Sequence, residues 1–256
     1  MSNIDKPIAQ AGERENTVSV ITGGARGFGK AFGQALVRLG AITILIDRDA
    51  SALEETASQL GPLAFPYPGD VTDEAAMQAI MNDVANKHGG IDILINNAGL
   101  HSHEYSRPIA DMGVDKVRRL FDVNVMGTVI CTLSAHPFMQ TRANASIINI
   151  ASSAAFQGGA YGNSKLAVIG LTMTFARELA ADKIRVNAIA PGIILTDTIR
   201  EELAPETHAR IKAMQYLDSD GSETDVVEAM LYLTSDKARF ITGETLRVTG
   251  GFAAGV

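Results

Sequence analysis

The chain has 256 residues, 46% of them hydrophobic, which is enough to bury a substantial core in one α/β domain. Its net charge of −7 argues against a nucleic-acid partner or an anionic membrane surface. The lone cysteine, Cys131, excludes an intramolecular disulfide and, with a polar amino terminus, points to a cytoplasmic protein.

Residues 1–16 read as a flexible arm without chemistry, and 17–256 as the domain. Val18–Ile21 is a short buried strand that runs into Thr22-Gly23-Gly24-Ala25-Arg26-Gly27-Phe28-Gly29 and a helix from Lys30 to Leu39. A glycine turn between strand and helix lets the backbone approach a pyrophosphate, and the helix amino end offers free N–H groups to it. A second strand, Ile42–Ile46, ends at Asp47. A carboxylate about 20 residues past such a turn can bond ribose hydroxyls and repel a 2′-phosphate. Arg26 and Arg48 act in the opposite sense, since either guanidinium could pair with that phosphate. The balance favours NAD over NADP.

A helix from Ala50 closes at Gly61-Pro62, and Leu63–Tyr67 is a third strand weakened by Pro66 and Pro68. Asp70-Val71 follows, then a helix over Asp73–His88 with Thr72 as its N-cap. Ile91–Ile95 is a fourth strand, leading into Asn96-Asn97-Ala98-Gly99. Strands alternating with helices predict right-handed parallel crossovers, with ligands at the carboxyl ends of the strands. A helical stretch over Asp111–Gln140 contains Asn124 and is broken by Gly127 and Pro137. Asn is unfavourable inside a helix, so Asn124 needs a partner or a function. Ser146–Ile150 is the fifth strand, ending at Ala151-Ser152-Ser153.

The next helix carries Tyr161 and Lys165 and runs to about Ala181. Four residues apart, phenol and ammonium share one face. A phenol ordinarily releases its proton near pH ~10, and a nearby ammonium makes release easier. Arg185–Ile189 is the sixth strand, followed by Pro191-Gly192-Ile193-Ile194-Leu195-Thr196. Residues 197–220 suggest a helical lid, and Ser222-x-x-Asp225 is a capping box. Thr245–Val248 is the last strand, before Thr249-Gly250-Gly251. The expected fold is a single doubly wound α/β domain of the Rossmann type, with about seven parallel strands.

These motifs, in this order, resemble the short-chain dehydrogenase/reductase family from about Thr17 to Phe252. The resemblance implies that Tyr161 exchanges a proton with the substrate oxygen and that Lys165 lowers its pKa and contacts the nicotinamide ribose. It implies that Ser152 hydrogen-bonds the reacting oxygen and that Asn124 supports a water-linked proton path. Gly23, Arg26, Gly27, Phe28, Gly29, Asp47, Arg48, Asp70, Val71, Asn97, Ala98, Gly99, Tyr161, Lys165, Pro191, Gly192, Ile194 and Thr196 would bind the cofactor, Ile194 and Thr196 at the nicotinamide carboxamide. The implied reaction interconverts a secondary alcohol and a ketone, in a homotetramer or dimer. A catalytically idle cofactor-binding relative is the alternative.

Ser152 precedes Tyr161 by nine positions, fewer than is usual in the family, so the loop 153–160 is short and the pocket beside it more open. His101, His103 and Glu104 could suggest a metal but fit a substrate entrance better, and no metal is expected. Cys131 reads as a core residue, as do Met77, Met81, Met126, Met139 and Met173, while Met214 could touch an apolar substrate.

Overall fold

The computed structural model describes residues 12–101, 103–105, 107–194, 206 and 212–252. Seven parallel strands form one sheet: β1 Val18–Thr22, β2 Ile42–Asp47, β3 Ala64–Pro68, β4 Ile93–Asn96, β5 Ser146–Ile150, β6 Arg185–Pro191 and β7 Thr245–Val248. Their order is β3-β2-β1-β4-β5-β6-β7, so the chain reverses direction across the sheet between β1 and β4. That reversal opens the crevice in which doubly wound sheets bind ligands.

Among the described residues eight helices connect the strands: α1 Gly27–Arg38, α2 Ala50–Leu60, α3 Glu74–His88, α4 Ile109–Met112, α5 Val114–Phe121, α6 Gly127–Met139, α7 Gly159–Glu178 and α8 Glu223–Leu233. Val18, Val20, Ile44, Ile46, Leu94 and Ile147 face the layer of α3, α6 and α7. Ile21, Leu45, Ile93, Ile95, Ile148 and Ile150 face α1, α2 and α8. Alternate residues thus serve opposite cores, and strands covered on both faces read as unbroken apolar runs.

The structure corrects several sequence expectations. Thr72 does not cap α3. The Asp73 side chain accepts from Ala76 N, while the Thr72 hydroxyl donates to Asp70. The helical stretch over 111–140 does not break at Pro137, which lies inside α6. It breaks at Gly113, and between Asp122 and Met126 it opens into a π turn around Asn124. Gly127 is demanded by packing, since a Cβ there would lie 2.7 Å from Val71 Cγ2. Met126 and Met173 are exposed rather than packed, whereas Met77, Met81, Met139 and Cys131 are buried. Burial pushes the Cys131 thiol up to about 12, which leaves it inert at neutral pH.

Pro66 and Pro68 are accommodated because β3 is an edge strand. Gly69 N donates to Asp47 O, so the odd-numbered N–H groups face β2. The prolines stand at the even positions, where an N–H would point outward. The body also begins earlier than Thr17. Arg14 N donates to Leu39 O at 3.0 Å, and its guanidinium donates to Thr234 O at 3.0 Å and Leu231 O at 3.4 Å. It thereby satisfies carbonyls left open at the end of α8.

Candidate active site

A cleft of about 1150 Å³ lies across the carboxyl ends of the strands. Its floor is the turn between β1 and α1. Gly23 (φ 67°) and Gly27 (φ 52°) adopt left-handed conformations that glycine takes without strain. A Cβ at Gly23 would stand 2.9 Å from Ala98 Cα, and one at Gly29 only 2.0 Å from Gly23 O. Around Gly27, by contrast, nothing lies within 4 Å of where a Cβ would stand. Arg26, at the N-cap, places no side-chain bond on the first turn of α1. The turn is thus closed toward the protein and open toward the cleft, with helix N–H groups available there. This fits the diphosphate of a dinucleotide.

Asn97 and Ala98 hold this turn from β4. Asn97 Nδ2 donates to Thr22 O and Gly23 O, both at 3.0 Å, and the Asn97 and Ala98 N–H groups donate to Thr22 Oγ1 at 3.1 Å. Both residues line the cleft.

At one end of the cleft, Asp47 accepts from Ala25 N at 3.2 Å and Asp49 N at 3.1 Å, which fixes its carboxylate at the tip of β2. Arg26 forms an ion pair with Asp49, while Arg48 lines the cleft. Asp70 accepts from Thr72 N (2.9 Å), the Thr72 hydroxyl (2.7 Å) and Arg119 (3.2 Å). Burial alone would raise its carboxyl, but these donors outweigh it and hold the pKa below the ordinary value. Arg119 lines the cleft as well, and its place on α5 gave no sequence signal.

At the other end, α7 presents Tyr161 and Lys165. Lys165 is only 5% exposed, and its ammonium donates to Ile150 O at 2.7 Å. Burial lowers its pKa to about 8. Burial likewise raises the Tyr161 phenol, while the neighbouring Ser152 hydroxyl acts in the opposite sense. The two groups are thus driven toward their neutral forms, and Lys165 is directed to the β5 carbonyl. Ser152, before the short loop, lines the same cleft as Tyr161. The loop residues Ser153–Phe156 form a 3-10 turn, and Ser152 Oγ accepts from Ala154 N at 3.2 Å. Gly162 allows this approach, because a Cβ there would lie 2.3 Å from Ala154 O.

Asn124 finds its partners across the π turn. Its Oδ1 accepts from Leu100 N at 2.7 Å, and its Nδ2 donates to Leu100 O (3.1 Å) and Ser164 Oγ (3.0 Å). Ser164 in turn donates to Tyr161 O at 2.7 Å. A Cβ at Gly99 would stand 3.3 Å from both Lys165 Nζ and Asn124 Oδ1, which shows how closely three sequence-distant motifs meet. Ser164, absent from the sequence candidates, ties Asn124 to the helix that carries Tyr161.

Pro191, Gly192 and Ile194 border the same end, and Ile194 bridges to Gly221. Thr196, His208 and most of the lid expected over 197–220 lie outside the described residues. His101 lines the cleft, and Glu104 pairs with Lys116. Among the described residues no cluster of three metal-ligating side chains forms, and no helix is long and apolar enough to cross a membrane.

The family model described as enoyl-(acyl carrier protein) reductase matches residues 23–253. The chain belongs to the short-chain dehydrogenase/reductase family. It is thus an oxidoreductase of a group that uses nicotinamide cofactors. An "uncharacterized oxidoreductase" of Mycobacterium tuberculosis is 35% identical over 241 residues, covering 93% of this chain and 97% of the relative. A 3alpha-hydroxysteroid dehydrogenase of Mediterraneibacter gnavus is 34% identical, covering 92% and 96%. A short-chain type dehydrogenase/reductase of Mycobacterium ulcerans superposes with a TM-score of 0.87 at 30% identity, covering 93% of this chain and 90% of that one.

Proposed function

We propose that this short-chain dehydrogenase/reductase interconverts a secondary alcohol and a ketone, with NAD preferred to NADP. The observation that carries the reading is the meeting of the Tyr161 and Ser152 hydroxyls in a cleft floored by the glycine turn, with Lys165 on the same helix. A bound nicotinamide supplies or accepts the hydride. In the reducing direction, Tyr161 donates its proton to the carbonyl oxygen as charge develops there, and burial keeps that proton in place at neutral pH. Ser152 hydrogen-bonds the same oxygen. In the oxidising direction Tyr161 must first lose its own proton, and as the phenolate it takes the alcohol proton. Asn124, held by Leu100 and Ser164, fixes the helix break beside Lys165 and supports proton supply to it. The name of the hydroxysteroid relative, whose reacting group is a secondary alcohol, supports the same chemistry.

The preference for NAD rests on Asp47, which faces the ribose end with its carboxylate fixed, and on Arg26, which is engaged by Asp49. We further assign the exposed Met126, Leu133, Leu166 and Met173 to contacts between copies of this chain, in a dimer or tetramer. Light scattering on the eluting protein tests that assignment, and a 27.1 kDa monomer would refute it. The cytoplasm suits a chain whose lone thiol is buried and free.

The function is tested by following nicotinamide absorbance with a panel of secondary alcohols and ketones, each with NAD(H) and NADP(H). Turnover with NAD(H) ahead of NADP(H) is expected. Cofactor binding without turnover across the panel would overturn the reading.

A further inference from the structure

We propose that Arg247, on the edge strand β7, is a positioning residue for the reaction: it stacks on Phe156 and so holds the short turn that Ser152 heads. The inference rests on the alcohol–ketone reading above and adds to it a residue that acts from behind the loop.

The turn has little of its own to hold it. Its backbone bonds are local: Ala155 N donates to Ser152 O at 3.1 Å, and Gln157 N to Ala154 O at 3.0 Å. Bonds of this 3-10 type are poorly aligned and sustain short pieces only. One end is set by the sheet, where Ala151 N donates to Ile189 O at 2.8 Å. Buried Ala155 and the close approach of Gly162 to Ala154 O seat the middle. The other end runs into Gly158 and Gly159, with φ 82° and 78°, where a Cβ would meet nothing within 4 Å. These two residues redirect the chain into α7 and give the turn no packing. Phe156 is therefore its outer anchor.

Strand β7 supplies the partner. Arg247 pairs in register with Ala190 on β6, and Ala190 packs with Ala151 and with Val168 of α7. Paired residues on neighbouring strands present their side chains to the same face, so Arg247 stands on the face that α7 covers. Its neighbour Val248 packs into the opposite core. Ala151, Ala188 and Ala190 floor the α7 face, and side chains this small let the helix and the turn before it lie close to the sheet. The Arg247 guanidinium reaches the turn there, 5.0 Å from the centre of the Phe156 ring, within the range of a cation–π contact. Ser152, Ser153, Ala154 and Gln157 line the cleft, while the Phe156 ring turns to β7.

A hydroxyl that steadies charge on a reacting oxygen works only if it is already in place. Ser152 Oγ is bound to the turn through Ala154 N, so a turn that shifts carries the hydroxyl with it. The same hydroxyl opposes the rise that burial imposes on the Tyr161 phenol. Tyr161 thus reports whether Ser152 stays beside it.

The test uses the alcohol and the ketone of the panel that turn over fastest. Arg247→Met, at an exposed position where folding is not at issue, and Phe156→Leu each lower kcat by about fivefold, the equivalent of an exposed cation–π contact. The Kd for NADH stays within about twofold. In the unaltered protein kcat/KM for alcohol oxidation rises with pH as Tyr161 loses its proton. In both variants that rise moves to higher pH, because the Ser152 hydroxyl no longer favours the phenolate. A contact that merely stiffened the fold would leave it in place. The double variant is no slower than the slower single one, since ring and guanidinium act as a pair. Phe156→Tyr, which keeps the ring, recovers the turnover lost in Phe156→Leu. An unchanged kcat, an unmoved pH profile in either variant, or losses that multiply in the double variant overturns the proposal. If the unaltered protein binds NADH but turns over nothing in the panel, the alcohol–ketone reading fails separately. The turn is then read by hydrogen exchange of a peptide spanning 153–157. Faster exchange in Arg247→Met and Phe156→Leu, with β1 unaffected, upholds the anchorage, and unchanged exchange overturns it.

Discussion

At the amino end of the sheet, Asp92 accepts from Arg142 Nε at 2.7 Å, Arg142 Nη2 at 2.9 Å and Val18 N at 2.8 Å. Arg185, at the start of β6, donates to Leu233 O at 2.7 Å, and Arg14 serves the same helix end. At the carboxyl end, Lys165 is buried and donates to the Ile150 carbonyl. One end neutralises its charges with carboxylates or helix carbonyls. The other leaves a lysine that burial has already pushed to about 8. A carboxylate partner would lock the ammonium in its charged form. Under the proposed chemistry Lys165 passes protons, which a locked ammonium could not do; the unneutralised charge then belongs where that chemistry is placed, and stability has to come from the opposite end.

Four substitutions break or sharpen this contrast. Tyr161→Phe is expected to lower turnover by about 10²–10⁴-fold while leaving the NADH Kd nearly unchanged, as read by kinetics and fluorescence titration. Turnover retained in that variant would remove the chemical side of the comparison. Lys165→Met should also abolish turnover yet stabilise the cofactor-free protein. The folded pKa of about 8 lies below the unfolded 10.5, so burying the charge costs about 3 kcal/mol at neutral pH, at ~1.4 kcal/mol per pKa unit. Between those two values the unfolded chain binds the extra proton. Stability of the unaltered protein therefore rises with pH across that window, and the advantage of Lys165→Met shrinks there. Urea melts at pH 7 and above pH 9 measure both effects, and a variant less stable at pH 7 would contradict the sign.

Asp92→Asn should act the other way, costing about 2 kcal/mol of stability in the same melts without altering kcat/KM. A matching loss of activity would mean that the two ends are not independent. The smallest effect belongs to the adenosine end. Asp47→Asn should shift the NADP/NAD ratio of kcat/KM toward NADP by about tenfold. An unchanged ratio would pass the preference to Arg48.

Most of the sheet was legible because strands buried on both faces are apolar runs, and because the glycine turn, Asp47, Asp70, residues 96–99, Ser152 and Gly192 sit at strand ends. That Ser152, Tyr161 and Lys165 line one cleft was implied by the family resemblance, not by spacing alone, since the nine positions between Ser152 and Tyr161 are fewer than is usual. What remained hidden depends on contacts between distant segments. The π turn at Asn124 arises from bonds to Leu100 and Ser164, and no propensity marks it. Arg14 looked like part of a solvated arm, since its partners are carbonyls more than 200 residues away. Arg119 reads as one of several surface charges on α5 until Asp70 is placed opposite it.

The prolines of β3 have a consequence for assembly. With Pro66 and Pro68 at outward positions, that border of the sheet offers no donors there to an approaching strand and resists edge-to-edge aggregation. The opposite border, β7, carries no such block, and Leu246 is partly exposed on it. A sheet that can be extended at one border alone can join a second copy through a two-fold axis, but it cannot propagate into a fibre.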